Sequence, residues 1–167
     1  MKYKLKDQAT QTVDLYEFLK ERGVQEPELY MTPNSTCEED NSYFDNMESC
    51  LSLIKLHATE KIALIVDCDQ DGYTSAAILY LYLTTNNICS DITPLFHEGK
   101  QHGLEYMTDI IKKDNYSLAL IPDAGSNDWL EVAELRDNGI DVIILDHHDI
   151  YDKYTYSICD NVINNQA

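Results

Sequence analysis

The sequence predicts an α/β domain: a mostly parallel sheet with helices on both faces. Three observations carry the prediction. First, Ile62 to Val66, Leu118 to Pro122 and Val142 to Leu145 are short, continuous apolar runs, as expected of strands buried on both faces. Second, stretches of helix length separate them, so strands must be joined by crossovers. Third, each run ends in acidic residues, Asp67-Cys68-Asp69-Gln70-Asp71-Gly72, Asp123 and Asp146-His147-His148-Asp149. In an open α/β sheet, the loops at the carboxyl ends of the strands build the functional site.

The elements follow in order. Residues 1–60 read as a helical preface packed on the core, and residues 61–167 as the α/β catalytic domain. In the preface, Val13 to Arg22 form a short helix stopped by Gly23. Pro27, Pro33 and the polar stretch Asn34 to Asn41, with its acidic cluster Cys37-Glu38-Glu39-Asp40, read as solvated loop. Met47, Cys50, Leu51 and Ile54 recur at i, i+3, i+4 and i+7, the stripe of an amphipathic helix. Strand 62–66 then leads through Gly72 into helix 73–84. Strand 91–96 leads through Gly99 and Gly103 into helix 104–113. Strand 117–121 precedes helix 127–138, which ends near Gly139. Strand 140–145 follows, with a short strand near 160–164.

With 167 residues the chain makes one ordinary domain, or one domain with a short extension. Twelve basic against 30 acidic residues give a net charge of −18. Nucleic-acid binding draws on a basic surface, so the substrate is small or another domain or protein partner supplies the basic grip. Five cysteines, at 37, 50, 68, 89 and 159, are an odd number without a Cys-x-x-Cys pair. That argues against a disulfide framework or a structural zinc knot and for a reducing compartment. The amino-terminal residues lack a signal-peptide core, and no apolar run nears the roughly 20 residues that span a membrane. A cytoplasmic location, without membrane contact, is the expectation.

The chemistry rests on the acidic strand ends. If extended geometry persists past Val66, then Asp67, Asp69 and Asp71 share one face, as three hard oxygen ligands at the mouth of the sheet. Taken alone, such a triplet serves equally well as the polar cap of the next helix. Asp123 alone is equally ambiguous. Asp146-His147-His148 is more telling, because two adjacent imidazoles at a strand end have no packing role. One can ligate metal while the other reaches a phosphate. Carboxylates with one imidazole favour manganese or magnesium, and two such ions sharing an Asp suit in-line displacement at phosphorus. There is no P-loop and no Gly-x-Ser-x-Gly. His57 and His97 read as structural. Lys100 and His102, beside Gly99 and Gly103, read more readily as an ordinary strand-to-helix loop than as a substrate loop.

These motifs resemble those of the DHH phosphoesterase superfamily. Asp67-Cys68-Asp69-Gln70-Asp71-Gly72 with Thr74-Ser75, Asp123-Ala124-Gly125 and Asp146-His147-His148 match its first three motifs in order. Within it, the chain is most similar to the RecJ group of single-strand-specific 5′→3′ DNA exonucleases. Phe18 to Val24, His102-Gly103-Leu104 and Val162 to Gln166 add to that likeness, with Asn165 in place of a proline. The resemblance implies a DHH-type fold and two Mn2+ or Mg2+ ions. It implies that Asp69, Asp71, Asp123 and His147 are metal ligands, with Asp123 bridging, and that Asp67 is a ligand or supports one. His148 would polarise the scissile phosphate and Asp146 would orient an imidazole. The His-x-x-Pro pattern of related pyrophosphatases is missing. The likeness covers roughly residues 15–167 and stops before the family's fourth motif and its DHHA1 domain, so the chain reads as the front of a catalytic core.

The implied activity is metal-dependent hydrolysis of single-stranded DNA, in repair or recombination. Two other readings stand beside it. One is a non-catalytic replication or repair assembly module. The other is a phosphoesterase acting on nucleotides or short oligonucleotides.

Overall fold

The computed structural model describes residues 14–37, 40, 44–151 and 162–164. They fall into two compact units, divided after Asp40. In the first unit, helix α1 (Leu15–Glu21) is started by Asp14, whose carboxylate accepts the N–H groups of Tyr16 and Glu17. Helix α2 (Pro27–Met31) begins on Pro27 at its first turn. Proline there forfeits no intrahelical hydrogen bond, so a segment expected to be loop is helical. A single 3-10 turn (Ser35–Cys37) follows. Val13 and the pair Glu38-Glu39 lie outside the described residues.

Helix α3 (Met47–Leu56) belongs to the second unit. Its stripe turns slightly from the one expected: Cys50 is buried and Leu53 and Ile54 pack beside it, while Leu51 is exposed. Then come β1 (Lys61–Val66), α4 (Gln70–Thr85), β2 (Asp91–Phe96), α5 (Thr108–Lys113), β3 (Leu118–Pro122), α6 (Trp129–Asp137), β4 (Asp141–Asp146) and β5 (Val162–Asn164). The five strands form one sheet in the order β2-β1-β3-β4-β5, with every pair parallel. Residues 160 and 161 of the last expected strand lie outside the described residues.

Alternation along the strands divides the core into two layers. Ala63, Ile65, Ala119, Ile121, Val142 and Ile144 pack with Met107 and Ile111 around α5 and with Val132 and Leu135 of α6. On the opposite face, Ile62, Leu64, Val66, Leu118, Leu120 and Ile143 pack with Cys50 of α3 and with Ala76 and Leu83 of α4. Burying one such Ile or Leu side chain stabilises by roughly 1.5–3 kcal/mol. Packing on both faces, more than local propensity, therefore fixes the strands. Among the described residues no helix is long and apolar enough to cross a membrane.

The topology also fixes where a site can form. From β1 the chain crosses one way to β2, then back across β1 to β3. The crevice between the carboxyl ends of β1 and β3 is the switch point, where open α/β sheets place their ligands. Asp67 leaves β1 there and Asp123 leaves β3.

His57, just past α3, braces the opposite end of the sheet. Its Nδ1 lies 2.6 Å from Glu60 Oε2 and its Nε2 2.8 Å from Asp141 Oδ2. Burial disfavours the imidazolium, but the hydrogen bonds to Asp141 and Glu60 outweigh it and push its pKa above the ordinary value. A raised pKa contributes stability that is complete below the unfolded value of 6.5 and is lost as pH rises through the folded one. His57→Gln should therefore lower the melting temperature more at about pH 6 than at about pH 9. Equal losses at both would show that the charge has no part in the brace.

Candidate metal centre

β1 ends at Val66 and α4 already begins at Gln70. The acidic triplet is therefore not one extended run, and the shared face expected from strand alternation does not form. Instead the three carboxylates occupy three backbone settings. Asp67 sits in the turn and is buried. Asp69 is the N-cap of α4, with its carboxylate accepting the Gly72 N–H at 3.2 Å. That bond holds the Asp69 pKa below the ordinary carboxylate value. Asp71 lies in the first helical turn.

The helix start comes close to Asp67 because residue 72 is glycine. A Cβ there would lie 2.6 Å from the Asp67 Cβ and 2.9 Å from its carbonyl carbon and oxygen. Asp67 Oδ1 accepts the Gly103 N–H at 2.9 Å, and Oδ2 lies 2.8 Å from His102 Nδ1.

Asp123 follows β3 with a positive φ of 72°. Asp and Asn tolerate that left-handed region better than most residues. Its N–H donates to the Leu145 carbonyl at 2.6 Å, which ties the turn to β4. Asp123 Oδ1 lies 3.0 Å from His147 Nε2, whereas Oδ2 is buried without a hydrogen-bond partner. Burial, followed by the nearby Asp71, pushes its pKa up. An unpartnered buried carboxylate oxygen is costly, and a cation against it removes that cost.

Two donor groups meet here. Asp67, Asp69 and Asp123 have ligand atoms within 4.8 Å of one another, and so do Asp71, Asp123 and His147. Asp123 belongs to both. His147 Nε2 also lies 3.9 Å from Asp71 Oδ2. Carboxylates with one imidazole are a donor set suited to Mn2+ or Mg2+, so the residues present fit the expected ions.

Asp146 and His148 stand apart from both groups. The Asp146 carboxylate accepts from Ser126 N–H at 3.0 Å, His147 N–H at 2.7 Å and His148 N–H at 3.1 Å, and its Oδ1 lies 2.8 Å from His148 Nδ1. Burial would raise the Asp146 pKa, but these bonds outweigh it and hold it low. In return, the bond to Asp146 pushes the His148 imidazole up. Asn164 of β5 donates to Ser126 Oγ and to the His148 carbonyl, at 2.8 and 3.0 Å, and so pins the loop after β4. A cavity of about 280 Å³ opens beside it, lined by His102, Gly103, Ser126, Asp128, Asp146 and His148 among others.

Several residues of the site were not expected. His102 is paired with Asp67 rather than idle in a loop. Asp128 accepts the Leu104 N–H at 2.8 Å, and burial pushes its pKa up to about 6. These two carboxylates tie down residues 103 and 104, and Tyr106 takes a positive φ of 62°. Helix α5 accordingly begins at Thr108, not at residue 104. Nothing local marks these pairs, which join residues 24 and 35 positions apart.

For Asp128, the folded pKa lies above the unfolded value of 3.8, so stability from this group grows as pH falls. Asp128→Asn keeps an acceptor for Leu104 and removes the buried charge. It should stabilise the protein at neutral pH by on the order of 1 kcal/mol, about 2–4 °C in melting temperature. The gain should fade below about pH 6. A lower melting temperature at neutral pH would contradict this account.

Comparison with known proteins agrees with the geometry. The model of the DHH family, N-terminal domain, matches residues 61–166. The chain is 33% identical over 156 residues to the "Putative SPbeta prophage-derived single-strand DNA-specific exonuclease YorK" of Bacillus subtilis (strain 168), a match covering 91% of this chain and 26% of that protein. The counterpart from Bacillus phage SPbeta matches to the same extent. The chain thus spans about a quarter of the length of these curated relatives. Among solved structures, exonuclease RecJ bound to manganese superposes with a TM-score of 0.60 at 24% identity, over 72% of this chain and 31% of that one. RecJ from Thermus thermophilus in complex with Mn2+ gives a TM-score of 0.60 at 22% identity, over 87% of this chain and 20% of that one. At these identities the likeness is one of fold, and it is the five-stranded parallel α/β fold described above.

Proposed function

This chain belongs to the DHH family, and from that premise we propose that it is a metal-dependent phosphodiesterase acting on single-stranded DNA. The observation that carries the reading is the place of Asp123 in two donor groups at once, with one of its buried oxygens unpartnered. Asp67 and Asp69 would hold one Mn2+ or Mg2+ ion, Asp71 and His147 a second, and Asp123 both. Such ions lower the pKa of an attacking water and offset charge on the phosphate.

The protein's own groups do the rest. Asp146 fixes the His148 ring and favours its protonated form, so that the imidazole presents positive charge toward the adjoining cavity. A phosphate oxygen beside His148 would accept that hydrogen bond, and the bond strengthens as negative charge develops in displacement. Ser126 and Asn164 hold Asp146 and the His148 backbone in place. His102 and Gly103 hold the Asp67 carboxylate in position beside the other ligands.

The name of the curated relatives supports single-stranded DNA as the substrate, and the manganese in the RecJ structures supports Mn2+. The resemblance of the motifs to the RecJ group implies 5′→3′ cleavage, which release of a 5′ label as mononucleotide tests. A second reading is favoured by the charge of −18, which repels a long polyanion: the substrate is then a dinucleotide or short oligonucleotide. Incubating the chain with Mn2+ and 5′-labelled substrates of both kinds decides between them. Release of labelled mononucleotide from the long strand supports the first reading, and release from the dinucleotide alone the second. No metal-dependent release from either would leave a non-catalytic assembly module and end the enzyme reading.

A further inference from the structure

We propose that Cys68, His102 and Asp67 form a separate, softer metal site that takes Zn2+ and shares Asp67 with the carboxylate centre. The proposal does not depend on phosphodiester hydrolysis. Ligand atoms of the three residues lie within 4.8 Å of one another. Cys68 Sγ is 3.8 Å from His102 Nδ1 and 3.7 Å from Nε2, and His102 Nδ1 is 2.8 Å from Asp67 Oδ2.

These separations suit one small ion. Zinc binds nitrogen and carboxylate oxygen at about 2.0–2.2 Å and thiolate at about 2.3 Å. At tetrahedral angles, that places nitrogen and oxygen donors about 3.3 Å apart, and nitrogen and sulfur about 3.6 Å apart. The two observed separations from Nδ1 differ from these values by about half an ångström or less. Sγ is about equally far from Nδ1 and Nε2, so it lies over the ring rather than along the Nδ1 lone pair. An ion in place of the Nδ1 proton meets His102 and Asp67, and a turn of the exposed imidazole brings Cys68 to it.

The support differs among the donors. Asp67 is buried and fixed: Gly103 N–H holds its other oxygen, and Gly72 packs on its backbone. A hydrogen bond to the second carboxylate oxygen is how ligating carboxylates are oriented. Cys68 is half-buried and the His102 side chain is 61% exposed, so an ion can reach them from solvent and keep a fourth position open. Asp69 adds negative charge nearby.

Donor chemistry separates this site from its neighbour. Thiolate and imidazole select zinc, whereas carboxylates with one imidazole suit manganese or magnesium. Binding converts the Cys68 thiol to thiolate and releases that proton, with any on Nδ1, to the buffer. No oxidation is involved.

The test is a titration of the reduced, metal-free chain with Co2+, followed by displacement with Zn2+. We expect a thiolate-to-cobalt charge-transfer band and the visible bands of tetrahedral cobalt, both bleached by Zn2+. Cys68→Ser should remove the charge-transfer band and weaken Zn2+ binding about tenfold or more. His102→Gln should weaken binding similarly. Cys37→Ser, at the exposed thiol among the described residues, should change nothing. Asp123→Asn should keep the band while losing the neighbouring centre, so the two sites fail separately. Absence of the band from the native chain, its survival in Cys68→Ser, or unchanged zinc affinity in both Cys68→Ser and His102→Gln would overturn the proposal.

Discussion

Asp123→Asn is expected to reduce metal-dependent phosphodiester hydrolysis by about a thousandfold or more, while leaving the apo protein folded and no less stable. The size follows from the position. Loss of a single stabilising donor costs about 10²–10³ in rate, and Asp123 is shared by both donor groups. Asparagine is the informative replacement because of the backbone. Residue 123 sits at φ 72°, where Asn is tolerated and Ala is strained. An alanine variant would mix lost chemistry with a distorted turn. Asn keeps the shape and removes a buried charge that Asp71 and Asp69 already oppose. The apo melting temperature should therefore hold or rise. Mn2+ provides a second readout. A ligand at 100 times its Kd stabilises the native state by about 2.7 kcal/mol, or about 5–11 °C for a chain of this size. The native protein should show that shift and Asp123→Asn most of its loss. An unchanged shift in the variant would remove Asp123 from the centre.

The architecture was legible because buried parallel strands leave a local signature. Ile62 to Val66 and Val142 to Leu145 are too apolar to be surface and too short to be spanning helices. The carboxylates at their ends stood out for the same reason, since charge directly after a buried strand marks the mouth of the sheet. The arrangement within the site was less legible. The triplet Asp67, Asp69 and Asp71 suggests alternation along a strand, but the N-cap preference of Asp69 ends the extended run and turns Asp71 onto a helix. Leu51 fitted the helical stripe by spacing and is nonetheless exposed, because Leu53 lies nearer the sheet-facing side of α3. His102 and Asp128 were hidden for another reason. Each is defined by a partner far along the chain, and a single sequence contains no term for a contact between distant loops. Asp146 was the opposite case. Its ring partner His148 is two residues away, within reach of one turn, so that contact can be read from local spacing.

Gly72→Ala should be strongly damaging although it adds only one methyl group to the core of the site. A Cβ at 72 would lie 2.6 Å from the Asp67 Cβ and 2.9 Å from its backbone carbon and oxygen. Two of these three atoms are backbone, so no flexible side chain can swing away. Either α4 moves off β1 or Asp67 is pushed from its bonds with Gly103 and His102. Overpacking of this kind costs typically 1–3 kcal/mol and occasionally more. With backbone as the obstacle, the upper end is expected, about 3 kcal/mol or about 6–12 °C in melting temperature. The displaced carboxylate should also abolish most of the Mn2+-induced shift, because Asp67 and the Asp69 cap move with the turn. Gly99→Ala is the control. Its nearest neighbours are the terminal atoms of the Gln101 side chain, at 3.3 Å, which can give way. The same added methyl there should be nearly neutral, or stabilise slightly through the unfolded state. Thermal melts of both variants, with and without Mn2+, test the argument. If Gly72→Ala melts within about 2 °C of the native protein, close approach of the helix to Asp67 is not what holds the site together.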